Sequence, residues 1–261
     1  MPVRKRFGQH FLHDPNVIEH IVDTLDPQPG QHLVEIGPGR GALTIAVLER
    51  AGSLDVIEVD RDLAALARKE FARHGDLRVH ESDALDFDFT TLGHDNLRVF
   101  GNLPYNISTP LLFHLMDQSN CIEDMLFMLQ FEVVQRMTAG PGNKIYGRLT
   151  VMLAAAATVE QQFTVGRGAF TPPPRVDSAI VRLVPHREPP FPIPDHDLFA
   201  KVVATAFSHR RKTLRNALAG LASPADIEAA GLDPGSRPET IDPEGFSAIA
   251  MQLHHSGSSQ P

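Results

Sequence analysis

Cysteine is almost missing from this chain. Cys121 is the sole thiol among 261 residues, so no disulfide can form within it and none is needed to staple the fold. Long apolar runs are missing too: the longest, Val151 to Val159, is about half a membrane span. The start is basic, Arg4-Lys5-Arg6, but no apolar run follows it, so it does not read as a secretory signal. No internal repeat is visible. Positive charge is scarce, with 24 Lys and Arg against 32 Asp and Glu for a net charge of -8. That balance counts against a generic polyanion binder, because phosphate contacts require Lys and Arg. None of the 13 histidines stands at zinc-type spacing with a cysteine, so no metal site is expected. These absences leave a cytoplasmic, metal-free protein with no membrane association, expected to be a monomer. Its 42% hydrophobic content is enough for a real core.

What is present is an alternation. Residues 15–25 carry Val17, Ile18, Ile21, Val22 and Leu25 at helical spacing. A short apolar run, Leu33–Ile36, then meets Gly37-Pro38-Gly39-Arg40-Gly41, and Leu43, Val47 and Leu48 mark the next helix. Strand candidates follow at Leu54–Val59, Leu77–His80, Leu97–Phe100 and Met125–Leu129, with a helical pattern at Leu63–Phe71. Short apolar strands alternating with helices predict a parallel sheet covered on both faces. Gln162–Val165 and Ala179–Val184 read as two more strands, forming an antiparallel edge. The proline-rich stretch 185–195 reads as a linker, and 196–253 as a few short helices. The expected organisation is a catalytic domain at 1–188, a small helical domain at 189–254, and a disordered tail at 255–261.

The glycine-rich turn after the first parallel strand lets the backbone approach a ligand closely. The helix behind it offers free N–H groups. Its spacing is not the dinucleotide G-x-G-x-x-G, and no G-K-[ST] follows, so nicotinamide and P-loop readings lose weight. Glu58, at the end of the second strand, can accept hydrogen bonds from both hydroxyls of a ribose; it can equally be a plain strand-end acid, with Asp60 and Asp62 as competing carboxylates. Asp83, after the third strand, can accept from an exocyclic adenine amine. Three such features on successive strand ends, where an open α/β sheet binds its ligand, point to S-adenosylmethionine.

Asn102-Leu103-Pro104-Tyr105 follows the fourth strand. It is similar to the [DN]-P-P-[YFW] motif of methyltransferases acting on amino groups of nucleic-acid bases. An adenine N6 amine is a poor nucleophile because its lone pair is delocalised into the ring. The Asn102 side-chain oxygen and the Leu103 carbonyl can hold its two N–H bonds and draw the nitrogen toward tetrahedral geometry. Pro104 stiffens the turn, and Tyr105 can stack on the base. Away from a strand end the same tetrapeptide would be read as a turn. No strong general base is required, so catalysis rests on positioning and desolvation.

With these motifs the sequence resembles the ribosomal RNA adenine dimethyltransferases, the KsgA/RsmA group, over nearly its whole length. Phe7-Gly8-Gln9-His10-Phe11-Leu12 matches the family's F-G-Q-[NH]-F-L, and the resemblance implies that His10 and Leu12 contact the cofactor, together with Gly37, Glu58, Asp83 and Asn102. Tyr146-Gly147-Arg148-Leu149 matches a further family segment. Phe170, in the stretch Phe170 to Ser178 that fits F-x-P-x-P-x-V-x-S, would form the target-base pocket with Tyr105; a core aromatic beside a proline turn is the competing reading. Phe207 to Asn216 resembles F-x-Q-R-R-K-T-L-R-N, with His209 in place of the usual Gln. It supplies a basic patch in which Arg210, Lys212 and Arg215 would meet RNA, whereas Arg211, near the stripe of Phe207, Leu214 and Leu218, reads as structural.

The resemblance implies an α/β, Rossmann-like S-adenosylmethionine-dependent methyltransferase sheet with a small C-terminal helical domain. It implies N6,N6-dimethylation of two adjacent adenosines in a hairpin loop near the 3′ end of 16S rRNA, in the small ribosomal subunit, with a role in ribosome biogenesis. Such a base must be splayed or flipped out to reach a buried methyl donor. Three rivals share some features: a macrolide-resistance methyltransferase acting on large-subunit rRNA, an assembly factor that chiefly occupies the immature particle, and a DNA or small-molecule methyltransferase.

Overall fold

The computed structural model describes residues 10–104, 107–209 and 211–258. Two compact units emerge. One holds the described residues of Met1–Val134 with Glu160–Pro185, the other Gln135–Val159 with those of His186–Pro261.

The first unit follows the alternation of the sequence. Its elements are β1 (Phe11–Leu12), α1 (Pro15–Leu25), β2 (His32–Ile36), α2 (Ala42–Ala51), β3 (Ser53–Ile57), α3 (Arg61–Leu66), β4 (Asp76–His80), β5 (Leu97–Asn102), α4 (Ser108–Asp117) and β6 (Ile122–Gln130). Side chains set the helix starts: Asp14 accepts from the N–H groups of Asn16 and Val17, with Pro15 in the first turn of α1, and Asp60 accepts from those of Asp62 and Leu63 at the head of α3. The helical pattern read to Phe71 continues past α3 as a wider π turn, Ala67–Phe71.

Beyond β6 come α5 (Phe131–Met137), α6 (Arg148–Ala156), β7 (Ala157–Val165), β8 (Phe170–Thr171) and β9 (Ser178–Pro185). The apolar run Val151 to Val159 is thus shared between a helix and a strand. The seven-stranded sheet has the order β4-β3-β2-β5-β6-β9-β7. Pairing is parallel from β4 to β6, and β9 runs antiparallel to β6, giving the expected antiparallel edge. The chain winds outward from β2 to β4, then returns to place β5 on the other side of β2. That reversal opens a crevice beyond the carboxyl ends of β2 and β5. Separately, β1 pairs with β8, Leu12 opposite Phe170.

The second unit is helical apart from the first residues of β7. It contains α6, α7 (His196–Phe207), α8 (Leu214–Ala217), α9 (Pro224–Ala229) and α10 (Pro243–Ser258). Its core gathers Val151, Phe199, Val202, Val203, Leu214, Ile227, Phe246 and Ile249. Three expectations are corrected here. The segment 135–159, placed in the catalytic domain, belongs to this unit, because Tyr146 and Val151 are buried in its core and the Tyr146 hydroxyl donates to the Ile241 carbonyl at 2.8 Å. The proline-rich stretch is not a free linker, because Phe191 and Ile193 pack on the same core and Ser247 donates to the Pro192 carbonyl. The tail is not disordered from 255, because α10 runs to Ser258; residues 259–261 lie outside the described ones.

Candidate active site

A cavity of about 350 Å³ lies in that crevice, entirely within the first unit. Pockets for drug-sized ligands span roughly 300–1,000 Å³. Its wall includes every residue expected to touch the cofactor: His10, Leu12, Gly37, Glu58, Asp83 and Asn102. Leu103 and Pro104 line it as well. Tyr105 lies outside the described residues, as do Arg4, Lys5 and Arg6.

Each wall residue has a structural reason for its place. Gly37 donates its N–H to the Ile57 carbonyl at 2.9 Å, stitching the glycine turn to the end of β3. The three candidate acids separate cleanly: Asp60 is taken up in capping α3, and neither it nor Asp62 reaches the cavity, whereas Glu58 does. Glu58 is buried and accepts from the Asp60 N–H at 2.9 Å. Burial raises its pKa above the ordinary carboxylate range, while backbone N–H groups of Asp60 and Gly39 hold it part of the way down. Asp83 is exposed and accepts from the Leu85 N–H at 3.0 Å.

Asn102 ends β5, and what lets it sit there is its neighbour. Gly101 faces β2 so closely that a Cβ would collide with the Ile36 carbonyl oxygen, so only glycine brings β5 this near the glycine turn. The Asn102 amide is also oriented. Its Nδ2 donates to the His10 carbonyl at 3.1 Å, which leaves Oδ1 as the acceptor. The His10 ring is anchored in turn, Nδ1 donating to the Pro172 carbonyl at 2.8 Å. The Leu103 N–H donates to the Met128 carbonyl at 3.2 Å, holding the turn against β6.

Phe170 does not line this cavity. It is 2% exposed and packed in the core of the first unit. Its burial beside β1 gives it a packing contact; its place in a target-base pocket with Tyr105, which lies outside the described residues, stays a proposal. In the second unit Lys212 and Arg215 are exposed, and so is Arg211, which its neighbourhood to the apolar stripe had suggested was structural; Arg210 lies outside the described residues.

Other wall residues were not picked out from the sequence. Val59 is 47% exposed and lines the cavity with Ala84 and Ile107, an apolar surface suited to a base. Phe11 lies under the Arg40 guanidinium, 4.3 Å from carbon to ring centroid. Glu35 is a buried carboxyl on the wall, and its position two residues before Gly37, at the end of β2, was the signal that could have found it.

A family model described as ribosomal RNA adenine dimethylase matches residues 2–253. The chain belongs to the ribosomal RNA adenine dimethylases. Among its relatives, a ribosomal RNA small subunit methyltransferase A from Nitrosococcus oceani is 57% identical over 94% of this chain and 94% of its own length. One from Pseudomonas putida is 54% identical over 96% and 94%. Solved structures similar to it include a dimethyladenosine transferase from Plasmodium falciparum, with TM-score 0.79 and 25% identity over 95% of this chain and 98% of that one. The 23S rRNA methyltransferase ErmE has TM-score 0.73 and 26% identity over 94% and 99%. As a ribosomal RNA adenine dimethylase the protein is an rRNA adenine dimethyltransferase that uses S-adenosylmethionine, and the wall fits that donor. Glu58 suits a ribose, Val59 and Ala84 suit an adenine, and the buried carboxyls suit a cation.

Proposed function

We propose that this protein dimethylates two adjacent adenosines in a hairpin loop near the 3′ end of 16S rRNA, within the small ribosomal subunit, as a step in ribosome biogenesis. The observation that carries the reading is the oriented Asn102 amide at the cavity wall, with Nδ2 engaged by the His10 carbonyl and Oδ1 left to accept. Two relatives named for the small subunit support the choice of RNA.

The residues divide the work. Glu58 would hold the ribose of the donor, Asp83 its adenine amine, and Gly37, His10 and Leu12 its remaining edges. S-adenosylmethionine supplies, when bound, an electrophilic methyl group on a sulfonium. Asn102 Oδ1 and the Leu103 carbonyl would accept hydrogen bonds from the two N6 N–H groups of a flipped adenine and turn its lone pair toward that methyl. Pro104 keeps the turn stiff, and Tyr105 would stack on the base. The leaving proton needs no dedicated base, since the nitrogen becomes acidic only once methylated. On the exposed face of the second unit Lys212 and Arg215, with Arg211 added to the expected set and Arg210 beside them in sequence, would meet phosphate. We infer that the enzyme acts as a cytoplasmic monomer; no helix among the described residues is long and apolar enough to cross a membrane.

The test is methyl transfer from labelled donor to small subunits lacking this modification, followed by nucleoside analysis. N6,N6-dimethyladenosine is expected with the wild type, and Asn102→Ala is expected to lower its rate about 10²–10³-fold. The ErmE likeness makes large-subunit RNA the competing substrate, and methylation of that RNA alone would overturn the assignment.

A further inference from the structure

Among the described residues Glu35 is the one carboxyl with a buried, unpartnered oxygen, and it pairs with no cation there. Its side chain is 2% exposed, it lines the cavity, and its Oε2 has no hydrogen-bond partner. A buried polar atom without a partner costs about 1–3 kcal/mol, more if charged, so a fold does not keep one at a ligand site without a compensating interaction. Thr44, on α2 behind it, is the polar side chain that eases its charge. Among the described residues the charged and titratable groups around the cavity are Glu58 from the end of β3, Asp83 beyond β4, His10 from before β1, and Arg40 from the glycine turn. Glu58 adds repulsion to any charge on Glu35, and the Arg40 guanidinium is turned onto the Phe11 ring rather than paired with Glu35. Among the described residues no cation pairs with a Glu35 carboxylate. The cationic methyl donor would.

We propose that Glu35 reads the positive charge of the methyl donor: without donor it stands as the neutral acid, and it releases its proton to solvent as the cation binds. Donor binding then expels one proton, which is taken up again when the less positive product leaves. The protonation states are those the surroundings dictate. Burial, opposed in part by Thr44 and reinforced by Glu58, pushes the Glu35 carboxyl up to about 8, and an adjacent cation favours the ionised form. By linkage, donor affinity must rise with pH wherever the free protein holds the proton and the complex does not.

The experiment is calorimetric titration of the whole protein with S-adenosylmethionine from pH 6 to pH 8, in buffers of different ionisation enthalpy. The comparison variant is Glu35→Gln, which keeps the shape of the neutral acid and cannot ionise. For the wild type close to one proton is expected to leave per donor at pH 7, with Kd tightening by up to about tenfold per pH unit below 8. In Glu35→Gln the Glu35 proton is absent, Kd at pH 8 is weakened, and its pH dependence is flattened. An unchanged wild-type Kd between pH 6 and 8 would overturn the proposal. So would a full proton release persisting in Glu35→Gln, which would assign the proton to Glu58, His10 or the donor's own amine. The proposal rests on the donor assignment, and a wild type that binds no donor at any pH would sink both.

Discussion

Arg98 and Asn102 stand on one strand, four positions apart, and the surroundings treat them in opposite ways. At the start of β5 Arg98 is 7% exposed, and every arm of its guanidinium is taken. Nε and Nη2 donate to the two oxygens of Asp124 at 2.7 and 3.0 Å. Nη2 also reaches the Leu25 carbonyl at 2.8 Å, and Nη1 reaches Gln31 Oε1 at 2.9 Å. Arg182 joins the same carboxylate and the Thr24 carbonyl. The cluster ties the end of α1 to the sheet and leaves nothing over. At the other end of the sheet Asn102 keeps an acceptor, Glu35 an unpartnered oxygen and Val59 an exposed apolar surface. Buried polar groups that are complete hold a fold together; those left incomplete around a cavity mark where something else completes them.

The comparison can be broken most forcefully at Asp124. Asp124→Ala strands two arginines in the sheet, and the expected loss is about 3–5 kcal/mol of stability, read by urea denaturation; the protein that remains folded should bind donor with near-normal affinity. A loss below about 1 kcal/mol would show that the cluster is no structural anchor. Glu35 should behave in the reverse sense. Its folded pKa of about 8 lies above the ordinary 4.5, so between those values the folded protein keeps a proton that the unfolded chain gives up. Stability is therefore greatest below that window and falls as pH rises through it. Denaturation of donor-free protein should show the wild type losing on the order of 3 kcal/mol from pH 5 to 8 relative to Glu35→Gln. Parallel curves for the two proteins would remove the buried-acid argument. Asn102→Ala, so damaging to catalysis, should cost only the one bond to His10, about 1 kcal/mol; a drop as large as that of Asp124→Ala would make Asn102 a structural residue after all.

Much of this was legible in the sequence because it is local. The apolar runs that became β2 to β6, the glycine turn and the strand-end residues Glu58, Asp83 and Asn102 all depend on order along the chain, and the wall of the cavity holds them together. What the sequence did not disclose depends on contacts between distant segments. Residues 135–159 look like a continuation of the first domain until Tyr146 is seen against Ile241. Arg98 is one basic residue in an apolar strand until Asp124 and α1 surround it. Gly101 carries no signal of its own, since its necessity comes from the Ile36 carbonyl across the ladder. Phe170 fits a motif equally well as a base platform or as core, and its burial beside Leu12 depends on a pairing between distant segments that the sequence does not disclose.

The smallest effect is expected at Arg40, and it sharpens the comparison by setting one arginine against another. Arg98 is buried and bidentate to a carboxylate. Arg40 is exposed and meets only the face of Phe11. Both join distant segments, but of the two only Arg40 lines the cavity, together with the Phe11 of β1 on which it rests. An exposed cation–π contact contributes about 0.5–1 kcal/mol, because water competes for the guanidinium on its open side. Arg40→Ala should therefore leave overall stability almost untouched and weaken donor binding by about two- to fivefold, through a looser β1 over the cavity. Because the His10 carbonyl that orients Asn102 directly precedes β1, kcat should fall alongside affinity, and Arg40→Lys should restore part of both. If donor affinity falls while kcat at saturating donor holds, the contact serves the cofactor alone and Asn102 is positioned without it.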